Sequence, residues 1–294
     1  MICDNNSLLF CTGLSLKEIS SVLQEKNLEN ALEQKGKKYL ERYNNYKHYK
    51  ELVSQGKQKQ AIVPIFAAMP CGGKTTMSRE IATSFCFGNV LGGDSFRAAL
   101  RKFVDKEKYP EFFSSVYVSW KFFGKETKEN IIKGFEAQAK LMNYAMERII
   151  VDRGIRDGES FVCEYLHFLP NQFDKRVLNH PSIIPIVLKL KSEEEYKRRI
   201  DVRDKLAHLK GNSSRFHNIL DKYLLMQEHQ CKVAELLKVP VIETDDFEKA
   251  VDKALTLIHK RISVLNKIAE EGKEVEGEAH LIEEYKKERD VFNK

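Results

Sequence analysis

Four consecutive residues, Gly72, Gly73, Lys74 and Thr75, have the types and spacing of a loop that binds nucleotide phosphates. The two glycines allow successive backbone N–H groups to point into one concavity. Lys74 can then meet the β- and γ-phosphates, and the Thr75 hydroxyl can hold Mg²⁺. Ala68 stands where the G-x-x-x-x-G-K-[ST] template has its first glycine. The pattern predicts that the chain binds ATP together with Mg²⁺, with Thr75 as the metal ligand.

The segments on either side of this loop provide the context that the motif requires. An apolar, strand-like run covers 62–67, and a helix-compatible run covers 76–85. A plain glycine turn between a strand and a helix is the alternative, and it accounts less well for the two flanks. Pro64 cannot donate to a central strand, so we expect a local irregularity there. The predicted nucleotide-binding residues are Pro70, Cys71, Gly72, Gly73, Lys74, Thr75 and Thr76.

A second group with possible chemistry follows the second predicted strand, where Asp94 and Arg97 lie one helical turn apart. In open parallel sheets, ligands bind at the carboxyl ends of the strands. Asp94 could accept the proton of an attacking hydroxyl or hold Mg²⁺ through water, and Arg97 could bind an anionic group of the acceptor. The alternative is an N-cap aspartate followed by a solvent-facing arginine.

The third predicted strand ends at Glu164, and His167 follows three residues later. A carboxylate at this place can orient Mg²⁺-bound water or the acceptor hydroxyl. His167 is a candidate substrate contact, and a packed, hydrogen-bonded histidine is an equally favoured alternative. The sequence leaves open whether Asp94 or Glu164 orients the nucleophile.

A run of basic residues follows the fourth predicted strand, and in it Arg199 and Arg203 are four residues apart. They share one helix face and can converge on one anion. We expect a lid over the triphosphate around 197–216, with both arginines neutralising the transferring phosphoryl group. A solvated surface face is the alternative for the run taken alone. The predicted catalytic residues are Lys74, Asp94, Glu164, Arg199 and Arg203.

Composition narrows the class of protein. The net charge of +6 suits an anionic small-molecule acceptor and is also compatible with nucleic acid. The aromatic segment 112–123 could stack bases, although core packing beneath the acceptor site is favoured. No apolar run approaches the roughly 18 residues that span a bilayer, and no signal pattern begins the chain. The six cysteines show no metal-ligand spacing, so we expect reduced thiols and a cytoplasmic protein.

These residues need elements that position them, and strand-like and helix-like segments alternate along the chain. This alternation predicts an α/β fold with a five-stranded parallel sheet flanked by helices. A Ser15-x-x-Glu18 capping box opens a polar, helical N-terminal stretch. We expect a helical extension at 1–58, a nucleotide-binding domain at 59–264 and a charged helical or disordered tail at 265–294. The predicted strands lie near 61–68, 89–93, 160–164, 183–190 and 239–242.

Five segments together resemble the archaeal-type 2-phosphoglycerate kinase family of P-loop kinases. They are MPCGGKTT at 69–76, GDSFR at 93–97, GFEAQ at 134–138, EYLHFLP at 164–170 and YLL at 223–225. The resemblance covers roughly 61–255 and implies the P-loop NTPase kinase fold. It also implies transfer of the γ-phosphoryl group of ATP, with Mg²⁺, to a hydroxyl of a phosphorylated small acid such as 2-phosphoglycerate.

The chain departs from the family pattern at two positions. Ala68 replaces the first loop glycine, and Tyr165 stands where the family usually has glycine, close to the expected acceptor site. Two other functions therefore stay open at this point. One is a kinase acting on a polynucleotide or tRNA, and the other is an ATP-binding regulator without transferase activity.

Overall fold

A computed structural model describes residues 7–206 and 214–291 of the chain. Its centre is a sheet of five strands in the order β2-β3-β1-β4-β5, and every neighbouring pair is parallel. This confirms the predicted α/β fold and its five-stranded parallel sheet, with each boundary within two residues of the expected one. The strands are β1 (Val63–Ala67), β2 (Val90–Gly92), β3 (Val162–Tyr165), β4 (Ile183–Lys189) and β5 (Val241–Glu243).

Helices cover both faces of this sheet. Short 3₁₀ segments add Ser7–Thr12, Pro110–Phe113, Val116–Phe122 and Pro170–Gln172, and the π-helical segment Ile150–Arg156 continues from the sixth helix. The α-helices of the described residues are α1 (Leu16–Leu23), α2 (Leu28–Lys35), α3 (Lys37–Ser54), α4 (Lys74–Ser84), α5 (Gly93–Leu100), α6 (Lys128–Ile149), α7 (Lys175–Leu178), α8 (Glu193–Leu206), α9 (Ser214–His217), α10 (Leu220–Leu236), α11 (Phe247–Glu270) and α12 (Glu278–Val291).

Pro64 lies in β1, the middle strand of the sheet. Strand β1 pairs with β4 over its whole length, from Val63 to Ala67. Its pairing with β3 begins only at Ile65. The backbone N–H of Ile62 is instead bonded to the Ser160 hydroxyl at 3.0 Å. The β3 ladder thus starts after the proline, which is how a central strand accommodates a residue without an N–H donor.

The two faces of β1 look into different parts of the hydrophobic core, because successive side chains of a strand alternate. Phe66 lies in a cluster with residues of α4, α11 and the N-terminal helices. Ile65 lies in the opposite cluster, which includes Met142 and Met146 of α6 and Tyr285 of α12. Both strand residues are fully buried. The sheet is therefore sandwiched between two apolar layers, as a parallel sheet requires.

The N-terminal helices pack directly onto the layer formed by α4 and α11. The predicted capping box at Ser15 and Glu18 is present at the start of α1. Arg42 of α3 is almost fully buried and donates to the Thr12 carbonyl at 2.9 Å. Its guanidinium also lies 2.9 Å from the Asp252 carboxylate of α11. An anchored cation of this kind fixes the position of α3 against α11.

The fold places the candidate functional residues at one edge of the sheet. All five strands run in the same direction, so the segments that follow β1, β2, β3, β4 and β5 emerge at that edge. Helix α4 begins there after β1, and α5 begins there immediately after β2. This edge is where open α/β sheets bind their ligands.

Candidate active site

The loop between β1 and α4 forms a tight cradle. Gly73 precedes α4 with φ +92°, and Cys71 has φ +66°. A Cβ on Gly72 would come within 2.8 Å of the Ala68 Cβ. Among the described residues, no side chain caps the first turn of α4, which starts at Lys74. Its N–H groups and the positive end of its dipole therefore remain directed at the loop, as anion binding at a helix N-terminus requires.

Thr75 and Glu164 meet beside this cradle. The Thr75 hydroxyl donates to Glu164 Oε2 at 3.1 Å, across the junction of α4 with β3. Burial raises the pKa of Glu164, while Lys74 and the Thr75 hydrogen bond act in the opposite direction. No cluster of three His, Cys, Asp or Glu side chains is present in the described part of the chain. A hydroxyl and one carboxylate fit Mg²⁺, which is usually held by few protein ligands together with substrate phosphates and water.

Asp94 and Arg97 lie on α5, where the cleft extends beyond the loop. Gly92, not Asp94, is the N-cap residue of α5, and Asp94 is exposed. Arg97 is half-buried and donates to the carbonyls of Phe112 at 3.0 Å and Ser114 at 2.6 Å. Burial, and then the neighbouring Arg101, lower the pKa of Arg97 to about 10. Arg97 is still cationic at neutral pH, so a positive group faces the cleft.

Gln138 of α6 connects Arg97 with His167. The Gln138 amide donates to the Glu111 carbonyl at 2.5 Å, so its Oε1 is the acceptor for Arg97 at 2.8 Å and for His167 Nε2 at 3.2 Å. His167 Nε2 therefore carries the proton. Burial, followed by the charges of Arg97 and Lys74, holds the pKa of His167 well below its usual range. His167 is both packed and in contact with the cleft, as a neutral imidazole.

Arg199 of α8 lies against the phosphate loop. Its Nε donates to Glu195 Oε1 at 2.7 Å, and its Nη2 donates to the Thr244 carbonyl. A Cβ on Gly73 would lie 3.3 Å from Arg199 Nη1. The Thr244 hydroxyl in turn donates to the Gly72 carbonyl at 3.0 Å. The segment after β5 and the start of α8 thus hold Arg199 beside the cradle.

Part of the predicted lid at 197–216 lies outside the described residues. Residues 207–213 are not described. Arg203 belongs to α8, but its side chain also lies outside the described part. The predicted convergence of Arg199 and Arg203 stays a prediction.

Most of these groups line one cleft of about 720 Å³, and Glu164 and Gln138 adjoin it through Thr75 and Arg97. Its loop end contains Gly73, Arg199 and Phe247, and its Arg97 end contains Asp94 and Arg97. The complete lining is Pro70, Cys71, Gly73, Lys74, Thr75, Thr76, Asp94, Arg97, Ser115, Val116, Tyr117, Leu166, His167, Arg198, Arg199, Phe216, Tyr223 and Phe247.

The amino-acid sequence of the chain is similar to those of known kinases. No protein-family model matches the chain. It is 24% identical over 250 residues to the 2-phosphoglycerate kinase of Methanopyrus kandleri, an alignment that covers 85% of this chain and 73% of that protein. It is 28% identical over 218 residues to the 2-phosphoglycerate kinase of Methanococcus maripaludis strain C5, and this alignment covers 71% of this chain and 68% of that protein. The chain is thus similar to 2-phosphoglycerate kinases, at 24–28% identity.

A third relative widens the range of activities among similar proteins. The mevalonate-3-phosphate 5-kinase of Thermoplasma acidophilum is 28% identical over 193 residues, which cover 66% of this chain and 93% of that protein. All three relatives are kinases that phosphorylate small molecules. The chain is accordingly a phosphotransferase, and the parallel sheet and its phosphate loop belong to the P-loop kinase fold.

The two departures from the family pattern have structural explanations in this kinase. The Ala68 Cβ is accommodated because Gly72, opposite it, has no side chain. Tyr165 is only 1% exposed, belongs to the core cluster under β1 and is not among the residues that line the cleft. That it lies close to the acceptor site stays a prediction. A Cβ on Gly93 would come within 2.1 Å of the Tyr165 Cβ. Gly93 thus makes room for the tyrosine.

Several residues that line or support the cleft were not predicted from the sequence. Arg101 lies one turn after Arg97 and donates to the same Phe112 and Ser114 carbonyls, at 2.9 and 3.1 Å. The four-residue spacing of the two arginines was a usable signal. Gln138 was part of a family-like segment but had no assigned role. No local sequence pattern marks Phe247 as a cleft residue, because only the fold brings α11 to the phosphate loop.

The aromatic segment 112–123 is divided between core and surface. Phe112 is fully buried, and the Arg97 guanidinium lies 5.4 Å from its ring centroid. Phe122 is 48% exposed. Among the described helices, none combines the length and the apolar character needed to cross a membrane.

Proposed function

We propose that this kinase transfers the γ-phosphoryl group of ATP to a hydroxyl of a phosphorylated small acid, in the manner of a 2-phosphoglycerate kinase. One observation carries the proposal: a single cleft is lined by Lys74, Thr75, Asp94 and Arg97. It therefore combines a phosphate cradle with a free carboxylate and a cation for a second anion. Kinases need this combination because their catalysis is mainly positioning and electrostatic stabilisation.

In this proposal, residues 70–76 hold the triphosphate of ATP. Three features suit this loop to a triphosphate: the uncapped first turn of α4, the left-handed conformation of Gly73 and the Lys74 ammonium. Arg199 is fixed next to Gly73 and adds a second cation to the loop end. The Phe247 ring flanks the same place and provides an apolar surface for a base. Residues 197–216 act as the lid, and Arg203 joins Arg199 when the lid closes.

Thr75 and Glu164 hold the Mg²⁺ that accompanies ATP. Their hydrogen bond of 3.1 Å shows that both oxygens reach one point beside the cradle. The metal, when bound, neutralises phosphate charge during transfer. Because Glu164 is engaged there, it is poorly placed to serve the acceptor as well.

Asp94 is therefore the group that accepts the proton of the acceptor hydroxyl. It is exposed to the cleft and lies one turn from Arg97 on α5. Arg97, supported by Arg101, binds the phosphate or carboxylate of the acceptor. His167 contacts the acceptor as a neutral hydrogen-bonding group, since its pKa lies well below neutrality.

The test is transfer of labelled γ-phosphate from ATP to 2-phosphoglycerate in the presence of Mg²⁺. Lys74→Ala should lower turnover on the order of a hundredfold or more, because it removes a preorganised positive charge. Lys17→Ala is the matched control, since Lys17 is exposed on α1 and does not line the cleft. Unchanged turnover in Lys74→Ala would rule out the assigned role of the loop.

Carboxamide variants of Asp94 and Glu164 distinguish the roles of these two carboxylates. Asp94→Asn should lower turnover at every Mg²⁺ concentration. Glu164→Gln should raise the Mg²⁺ concentration needed for half-maximal rate. If Asp94→Asn raised the Mg²⁺ requirement and Glu164→Gln lowered turnover at every Mg²⁺ concentration, the two assigned roles would be exchanged.

A further inference from the structure

A continuous apolar wall lines the cleft. We call Val116, Tyr117, Leu166, Phe216 and Tyr223 the aromatic wall. They come from four separate elements: the 3₁₀ segment after Ser115, the segment after β3, α9 and α10. The ring centroids of Tyr117 and Tyr223 are 6.2 Å apart, and those of Phe216 and Tyr223 are 6.3 Å apart.

Part of the aromatic wall lies at the Arg97 end of the cleft. Arg97 donates to the Ser114 carbonyl at 2.6 Å, and Val116 and Tyr117 follow two and three residues later. Leu166 immediately precedes His167, which shares Gln138 with Arg97. The loop end is instead bordered by Arg199 and Phe247, which would lie 3.3 and 3.7 Å from a Cβ on Gly73. Through Val116, Tyr117 and Leu166, the wall borders the place that the proposed function gives to the acceptor.

The composition of this wall is a poor match for a small, fully polar acceptor. Val116, Leu166 and Phe216 have no polar side-chain atom. A phosphorylated three-carbon acid has almost no apolar surface, so contact with them would remove water from its oxygens without new hydrogen bonds. An acceptor with an aliphatic branch would bury that branch on the wall while its anionic groups reach Arg97.

We propose that the preferred acceptor is a phosphorylated hydroxy acid with an aliphatic branch, and that the aromatic wall selects for that branch. This inference rests on the proposed kinase function and specifies its substrate class. In the transfer, the bond from the γ-phosphorus to its bridging oxygen breaks, and its electron pair leaves with ADP. The acceptor hydroxyl oxygen forms the new P–O bond, and its proton passes to Asp94.

The first experiment measures kcat/KM with two acceptors, mevalonate 3-phosphate as the branched probe and 2-phosphoglycerate as the unbranched one. A single well-packed methylene is worth about 10- to 200-fold in discrimination. We therefore expect the branched probe to be used at least about tenfold more efficiently. Equal or better use of 2-phosphoglycerate would overturn this inference and leave the proposed kinase function intact. No transfer to either probe would overturn both.

The second experiment places the selection on the wall itself, through Phe216→Ala. The variant should lower kcat/KM for the branched probe about tenfold, mainly through KM. Its kcat/KM for 2-phosphoglycerate and its KM for ATP should change much less. Phe122→Ala is the control, since Phe122 is an exposed aromatic residue that does not line the cleft. An equal loss for both acceptors would mean that Phe216 only supports closure of the cleft, and it would overturn the assignment of branch recognition to the wall.

Discussion

Replacing Gln138 should damage the Arg97 end of the cleft while leaving the loop end intact. Gln138 is fully buried in α6. Its amide donates to the Glu111 carbonyl at 2.5 Å, and its oxygen accepts from Arg97 at 2.8 Å and from His167 at 3.2 Å. No other described side chain joins these groups. Gln138→Leu keeps most of the volume and removes every one of these hydrogen bonds.

The magnitude follows from the groups that lose a partner. His167 Nε2 would lose its Gln138 partner in a buried place. The Glu111 carbonyl would keep the Ser114 N–H and hydroxyl, at 3.2 and 2.8 Å. One unpaired buried polar group costs about 1–3 kcal/mol, which is the loss of stability that we expect. Arg97 retains the Phe112 and Ser114 carbonyls, at 3.0 and 2.6 Å, so it should shift rather than detach. We expect a rise in acceptor KM of about tenfold, equivalent to 1.4 kcal/mol.

Urea unfolding and steady-state kinetics test this together. Gln227→Leu is the control, because Gln227 is also buried and bonds both the N–H and the carbonyl of Leu190, at 3.1 and 2.9 Å, without touching Arg97 or His167. Both variants should lose stability, but only Gln138→Leu should raise the KM for the acceptor while the KM for ATP stays the same. The reasoning is refuted if the two variants change acceptor KM equally.

Two further predictions concern stability. Gly93→Ala should destabilise the fold by about 2 kcal/mol or more through overpacking, because the new Cβ would meet the Tyr165 Cβ at 2.1 Å. A double-mutant cycle with Tyr165→Gly should show strong coupling between the two substitutions. Additive changes in the free energy of unfolding would contradict the contact. His259 is buried, and its Nε2 lies 2.9 Å from the Cys11 carbonyl; burial lowers its pKa from 6.5 to about 4. In the unfolded chain His259 takes up a proton near pH 6.5, whereas in the folded chain it stays neutral down to about pH 4. The His259 contribution should therefore lower the free energy of unfolding by roughly 2–3 kcal/mol between pH 7 and pH 4.5. Unfolding of wild type and His259→Gln across this range tests it, and equal pH slopes would contradict it.

The sequence predicted the sheet and the phosphate loop well because both have local signals. Apolar runs of strand length give β1 to β5, and a glycine pair before Lys74 gives the loop. The capping box at Ser15 and Glu18 is equally local, and it is present in the structure. Each of these signals lies within a few residues of the feature that it predicts.

The rest of the candidate site depends on contacts between distant segments. Gln138 reaches Arg97 and His167 across 41 and 29 residues. Thr244 bonds the Gly72 carbonyl across 172 residues. The packing of Tyr165 was not predicted for a related reason, since its neighbour Gly93 comes from another strand end. Hydrophobic spacing cannot show such pairings, because they arise only when the sheet is assembled.

The most direct test of the central claim follows the γ-phosphate of ATP by phosphorus NMR in the presence of Mg²⁺ and a phosphorylated hydroxy acid. The account predicts that the γ resonance is replaced by that of a new phosphate ester on the acceptor, at a rate that depends on Lys74 and Asp94. ATP that stays intact with both acceptor probes, or that yields only ADP and inorganic phosphate, would contradict it.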